Sequence, residues 1–144
     1  MLNLTLGVFV LLSQLVASSG SDLPQIMSID TKTVATAKAG RKSDVPVTFN
    51  LLKGYVINRN PPISLKIAET PGLQFETMNF VTSGEDPKSK DEYYVDLPTI
   101  KVSVTAAKAG KYEVPAKLTY FFCSKADGFC ARQVFDVKIP VQVQ

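Results

Sequence analysis

The strongest constraint on the fold lies near the end of the chain. There, two alternating apolar runs flank a short polar segment bounded by the only two cysteines, Cys123 and Cys130. If these cysteines face each other across a hairpin turning through Ser124 to Phe129, the register of everything upstream and downstream is fixed. Phe121 then pairs with Arg132, Thr119 with Val134 and Lys117 with Asp136 on one face. Phe122 pairs with Ala131, Leu118 with Phe135, Ala116 with Val137 and Val114 with Ile139 on the other. A slip of one residue would turn every apolar side chain outward, whereas this register gives one apolar face, one mostly polar face and an opposite-charge cross-strand pair. Both cysteines fall on the polar face, and a disulfide between neighbouring antiparallel strands is expected.

Residues 1–20 differ from the remainder. An apolar run from Leu4 to Val16, followed by Ala17, Ser18, Ser19 and Gly20, predicts a secretory signal over residues 1–19 with a small-residue cleavage zone. An uncleaved anchor is the alternative, although the run is shorter than the ~20 residues a span needs. The mature part, residues 20–144, is the length of one domain. No cysteine follows the apolar run, which excludes a lipoprotein anchor, and no later stretch is expected to cross a bilayer. An exported chain meets oxidising conditions in the periplasm or outside the cell, where two cysteines are expected to pair.

Composition narrows the chemistry further. The chain has no histidine, which removes Ser-His and Cys-His nucleophile pairs, imidazole acid–base work and histidine metal sites. Two cysteines alone do not complete a thiolate zinc site, so neither a metal nor another cofactor is expected. A formal charge of +3, with Lys and Arg scattered among Asp and Glu, gives no basic stripe for nucleic acid or an anionic membrane.

Period-two alternation recurs through the mature chain and long helical periodicity does not. Val45 to Leu51, Ile63 to Ile67 and Ile100 to Ala106 read as half-buried strands, with weaker candidates at Thr31 to Ala37 and Leu73 to Phe80. Turn signals separate them at Ala39-Gly40-Arg41, Asn58 to Pro62, Pro71-Gly72, Ser83 to Lys90 and Ala109-Gly110-Lys111. The pattern predicts an all-β fold, an immunoglobulin-like antiparallel β-sandwich of seven to nine strands. Ala37 to Phe49 echoes Ala107 to Tyr120, each with a Gly turn and a Val-Pro step, which the same turn chemistry used twice explains without duplication. Pro46 and Pro115 lack an N–H and suit strand starts or edges.

Four stretches are candidate functional features. The Cys123/Cys130 pair is either a staple closing a short loop or a redox pair; Lys125 and Arg132 would favour a thiolate there and Asp127 would oppose it. Ser83 to Asp91 is too polar for a core and is expected to be a mobile surface segment, either a plain connection or a flap over a neighbouring site. Gly54 to Pro62 reads as a strand end with Tyr55 and Ile57 packing inward before an Asn-Pro turn, and Tyr93 and Tyr94 are either ordinary strand residues or an aromatic lid.

Cys123-Ser-Lys-Ala-Asp-Gly-Phe-Cys130, entered through Tyr120-Phe121-Phe122 and left through a strand ending Ile139-Pro-Val-Gln-Val143, resembles the N-terminal periplasmic domain of DsbD-type thiol:disulfide interchange proteins. Gly54-Tyr-Val-Ile-Asn-Arg-Asn-Pro-Pro62 is similar to the Gly-Tyr-His-Ile-Asn segment of that family, with Val56 in place of the His. The cysteine spacing is one residue longer than in well-known members, and the loop near Glu85 to Lys88 lacks the aromatic residue that redox-active members place over their pair. The resemblance implies an immunoglobulin-like sandwich whose cysteines pass electrons between a membrane thiol transporter and thioredoxin-like proteins. On that basis Cys123 and Cys130 are the expected catalytic residues, with Cys123 the sulfur attacked and Cys130 the resolving partner. The alternative is a secreted binding or accessory module in which the same disulfide is structural.

Overall fold

The computed structural model describes residues 23–32 and 35–144. The signal expectation over residues 1–19 lies outside them. Among the described residues there is no helix, and none is long and apolar enough to cross a membrane.

The longest elements are the two strands predicted around the cysteines, β10 (Gly110–Ser124) and β11 (Cys130–Val143). They pair without a break from Gly110↔Val143 to Cys123↔Cys130, in the register read from the apolar pattern. The Lys117 ammonium donates to the Asp136 carboxylate at 2.8 Å on the outer face. Inward positions Val114, Leu118, Tyr120, Phe122, Ile139 and Val141 are buried, as half-buried strands require.

This hairpin is the centre of a six-stranded sheet. β2 (Ala35–Ala37) lies beside β11 in the one parallel pairing of that sheet, while β6 (Ser64–Ile67) and then β8 (Asn79–Val81) extend it beyond β10. β5 (Tyr55–Ile57) also pairs with β10, at its cysteine end. A three-stranded antiparallel sheet has the order β3 (Lys42–Val47), β9 (Ile100–Ala106), β7 (Leu73–Phe75), and β1 (Met27–Ile29) pairs with β4 (Phe49–Leu51). One continuous apolar core takes Val45, Val47, Val102 and Val104 from the three-stranded sheet, Leu65, Leu118 and Phe122 from the large one, and Met27 from β1. The fold is therefore an all-β sandwich of the expected immunoglobulin-like kind.

Among the described residues there are eleven strand segments, because two predicted strands are each divided between sheets and the short β1 and β5 are added. Val45 to Leu51 breaks at Thr48, where β3 leaves β9 and the chain continues as β4 beside β1; the Thr48 carbonyl accepts from the Asp30 N–H at 2.8 Å. Leu73 to Phe80 breaks between β7 and β8, which belong to opposite sheets. Pro46 lies in β3, an edge strand, and Pro115 lies one residue outside the Ala116–Thr119 ladder with β6, so neither removes a needed donor from a strand interior.

One polar cluster sits inside this core. Tyr120 and Gln133 are paired across the hairpin on its inward face, and both are buried. The Met27 N–H donates to the Tyr120 hydroxyl at 2.9 Å, which in turn donates to Gln133 Oε1 at 2.7 Å. Gln133 Oε1 also accepts from the Ile26 N–H, and its Nε2 donates to the Pro24 carbonyl at 2.8 Å. Burial raises the phenol above its ordinary value, so the hydroxyl keeps its proton throughout the neutral range. These two side chains receive the backbone of residues 24–27, whose donors would otherwise be stranded at the sandwich edge.

Removing the Tyr120 hydroxyl should therefore cost more than breaking the exposed ion pair on the opposite face. Tyr120→Phe leaves a buried Met27 N–H unpaired and is expected to lower unfolding free energy by about 1–3 kcal/mol in urea titrations. Lys117→Ala should lower it by less than about 1 kcal/mol. Equal losses would contradict this division of roles.

Candidate functional site

The site grows out of the tip of the central hairpin. Cys123 and Cys130 are joined by a disulfide, with Cα atoms 4.0 Å apart as the last pair of the ladder. Their turn is fixed locally: the Ser124 N–H donates to the Phe129 carbonyl at 2.8 Å, and the Gly128 N–H to the Ser124 carbonyl at 2.9 Å. The Ser124 hydroxyl accepts from the Asp127 N–H and donates to the Asp127 carboxylate, both at 3.2 Å. Gly128 takes φ +69°, a conformation that favours glycine. Phe129 anchors the turn from outside, its ring edge-on to buried Phe122 at 5.9 Å between centroids, while Tyr55 meets the same ring at 5.7 Å.

The two sulfurs have unequal surroundings. Cys130 is exposed, whereas Cys123 is only 4% exposed. The outward phase read from the hairpin pattern holds for both, but it does not leave both open. β5 runs alongside β10 with Val56 opposite Cys123, and a cleft of about 500 Å³ at the pair is walled by Val56, Ser89, Asp91, Tyr93, Tyr94 and Val95 as well as by the turn. The order of access is thus the reverse of that expected for an attack on Cys123.

The second wall of the cleft comes from the polar segment expected to be mobile. Two side chains hold it in place instead. Arg59 Nε donates to the Gly84 carbonyl at 2.9 Å, and its Nη1 donates to the carbonyls of Ser89 and Asp91 at 2.9 and 3.1 Å. Asp86 is buried and accepts the N–H groups of Lys88, Val95 and Asp96 at 2.9, 2.8 and 3.3 Å. One guanidinium satisfies carbonyls and one carboxylate satisfies amides, so a segment with no apolar core of its own acquires a defined shape. Burial pushes the Asp86 carboxyl up, but the three N–H donors and the nearby Arg59 charge together outweigh it and hold the group below the ordinary carboxylate range.

Tyr93 and Tyr94 supply the aromatic wall that Glu85 to Lys88 lack. Tyr93 forms an isolated antiparallel bridge with Asn58, and Tyr94 is buried, its hydroxyl 3.1 Å from that of Thr82. Asn58, Arg59 and Asp86 escaped the sequence reading: Asn58 and Arg59 act through partners distant in the chain, and Asp86 through backbone N–H groups of its own segment, which composition does not reveal. The signal closest to them was the polar run Asn58-Arg59-Asn60 directly after the inward-pointing Ile57. Lys125 and Asp127 lie exposed on the turn as expected, and Arg132 is exposed beside it on β11. Among the described residues no cluster of three His, Cys, Asp or Glu side chains is arranged to hold a metal ion.

Asp86 ties loop shape to pH in a definite direction. Because its folded pKa is depressed, the stabilisation it gives is complete above the ordinary carboxylate pKa and disappears as pH falls through its own lower value. The amide proton resonances of Lys88 and Val95 should shift together with a midpoint below the ordinary range; a midpoint at the ordinary value would refute the role of Asp86. Gly84, at φ +71°, has no room for a side chain, since a Cβ would lie 2.6 Å from the Arg59 carbonyl oxygen. Gly84→Ala is expected to destabilise by about 1–3 kcal/mol, measured as a fall in Tm, and to broaden the loop resonances.

No protein-family model matches the chain, and no curated protein matches it.

Proposed function

We propose that this is an exported protein, periplasmic or secreted, whose Cys123–Cys130 disulfide exchanges electrons with a thiol-bearing protein partner. The partner class is a thioredoxin-like protein or a membrane thiol transporter. The observation that carries this reading is the inequality of the two cysteines: both line one preformed cleft, but Cys130 is exposed and Cys123 is almost fully buried. A purely structural bond needs no such opening. Exchange does, because a thiolate must approach one sulfur along the S–S axis while the other leaves. The exposed Cys130 Sγ is the sulfur attacked, and Cys123 Sγ is the leaving group and, in the reverse direction, the resolving thiol.

A cross-strand staple is the second reading, favoured by the position of the pair as the final rung of an unbroken ladder. Closing an eight-residue segment stabilises by about 2.5 kcal/mol on chain-entropy grounds, which is reason enough for a disulfide there.

The reduction potential separates the two. Equilibration against glutathione and thioredoxin-like proteins is expected to give a value above about −300 mV, with rapid exchange. A lower potential with no exchange supports the staple. In the exchange reading, a partner lacking its resolving cysteine is trapped as a mixed disulfide, and peptide mapping finds it on Cys130. Trapping on Cys123 would overturn the assignment of roles.

A further inference from the structure

Leaving-group chemistry at Cys123 poses a physical problem that the fold addresses with one side chain. A thiolate released at a site only 4% exposed is poorly solvated and needs a hydrogen-bond donor close by. The polar side chain placed against this sulfur is Asn58, with Oδ1 at 3.5 Å from Cys123 Sγ. A disulfide sulfur carries no proton, so in the oxidised protein this is a contact and not a hydrogen bond. The same carboxamide turned about its terminal bond presents Nδ2–H to the sulfur, and oxygen and nitrogen occupy nearly the same volume.

The backbone explains why Asn58 is there. β5 pairs Val56 with Cys123, and the Asn58 N–H donates to the Phe121 carbonyl at 2.9 Å, carrying the ladder one residue further. Asn58 lies two residues beyond Val56, so its side chain emerges on the same face, diagonal to Cys123. The bridge to Tyr93 holds it on its other side. The remaining titratable or charged groups lining the cleft are Asp91, Tyr93, Tyr94, Lys125 and Cys130.

We infer that Asn58 is a positioning residue for exchange at this disulfide, its carboxamide receiving the Cys123 sulfur as the S–S bond breaks. The inference rests on the interchange reading. A partner thiolate attacks Cys130 Sγ; the new sulfur–sulfur bond forms as the Cys123–Cys130 bond breaks, and the bonding pair stays on Cys123 Sγ. Asn58 Nδ2–H donates to that thiolate until it takes a proton from water. The second thiolate of the partner then attacks its own mixed-disulfide sulfur and releases Cys130 as a thiolate, which is also protonated from water. The partner dithiol has been oxidised to a disulfide and this pair reduced to a dithiol. In the thiol state Cys123 donates to Asn58 Oδ1, the orientation already in place, so one amide serves both states by turning over.

The test reads the sulfur directly. In the full chain carrying Cys130→Ser, the Cys123 thiol is titrated by thiolate absorbance with Asn58 intact, with Asn58→Leu and with Asn58→Asp. Leu removes the donor while keeping water out, and Asp places a like charge beside the thiolate. Both are expected to raise the thiol pKa by about one unit or more, which is tenfold less thiolate at a given pH. In the two-cysteine protein, reduction by dithiothreitol should slow about tenfold in Asn58→Leu. Titrations superimposable on that of the Asn58 protein overturn the inference; if Asn58→Leu fails to fold, the smaller Asn58→Ala, which also removes the donor without adding a charge, decides in its place. Absence of exchange with any thioredoxin-like protein would sink the interchange reading by itself, while the thiolate titration still decides the role of Asn58.

Discussion

The rest of the molecule depends on the ladder between β10 and β11. Its register sets which side chains enter the sandwich, and the same register brings two cysteines face to face at its end. Core and site are therefore two readouts of one alignment. Moving the hairpin by one residue would expose Leu118 and Phe122 and separate the sulfurs in the same step. β5, β6 and β2 all add to this hairpin, so the walls of the cleft inherit their positions from it as well.

The hairpin was legible in the sequence because its information is local and periodic. Alternation at Val114, Ala116, Leu118 and Phe122 against Ile139, Val137, Phe135 and Ala131 admits one pairing, and β9 over Ile100–Ala106 was readable for the same reason. Features that turn on long-range partners were not. Gln133 reads as an ordinary polar residue, yet it is buried because Tyr120 and the backbone at Pro24 and Ile26 complete its hydrogen bonds. Alternation in Val45 to Leu51 gave no hint of the break at Thr48, since period two continues while the strand changes partners.

The polar segment after Ser83 shows the same limit from the other side. Its composition says that it cannot build an apolar core, and that is correct; what composition does not say is that Arg59 and Asp86 supply the missing organisation. The burial of Cys123 was illegible for a related reason. Strand phase determines which face a side chain leaves from, but whether that face is open depends on what the neighbouring segments place over it. Here β5 places Val56 opposite Cys123, which is buried, while Cys130 stays exposed.

The Arg59 and Asp86 clamp has a consequence for recognition. Because the carbonyls of Gly84, Ser89 and Asp91 and the amides of Lys88, Val95 and Asp96 are already satisfied within the chain, a partner approaching Cys130 as proposed would meet a finished surface and not one that must be assembled around it. Little conformational entropy of this loop is then lost on association, and contact free energy is not consumed in ordering it. The same rigidity restricts the range of shapes accepted. In the proposed exchange, selectivity would then follow from a surface whose shape is set before the encounter.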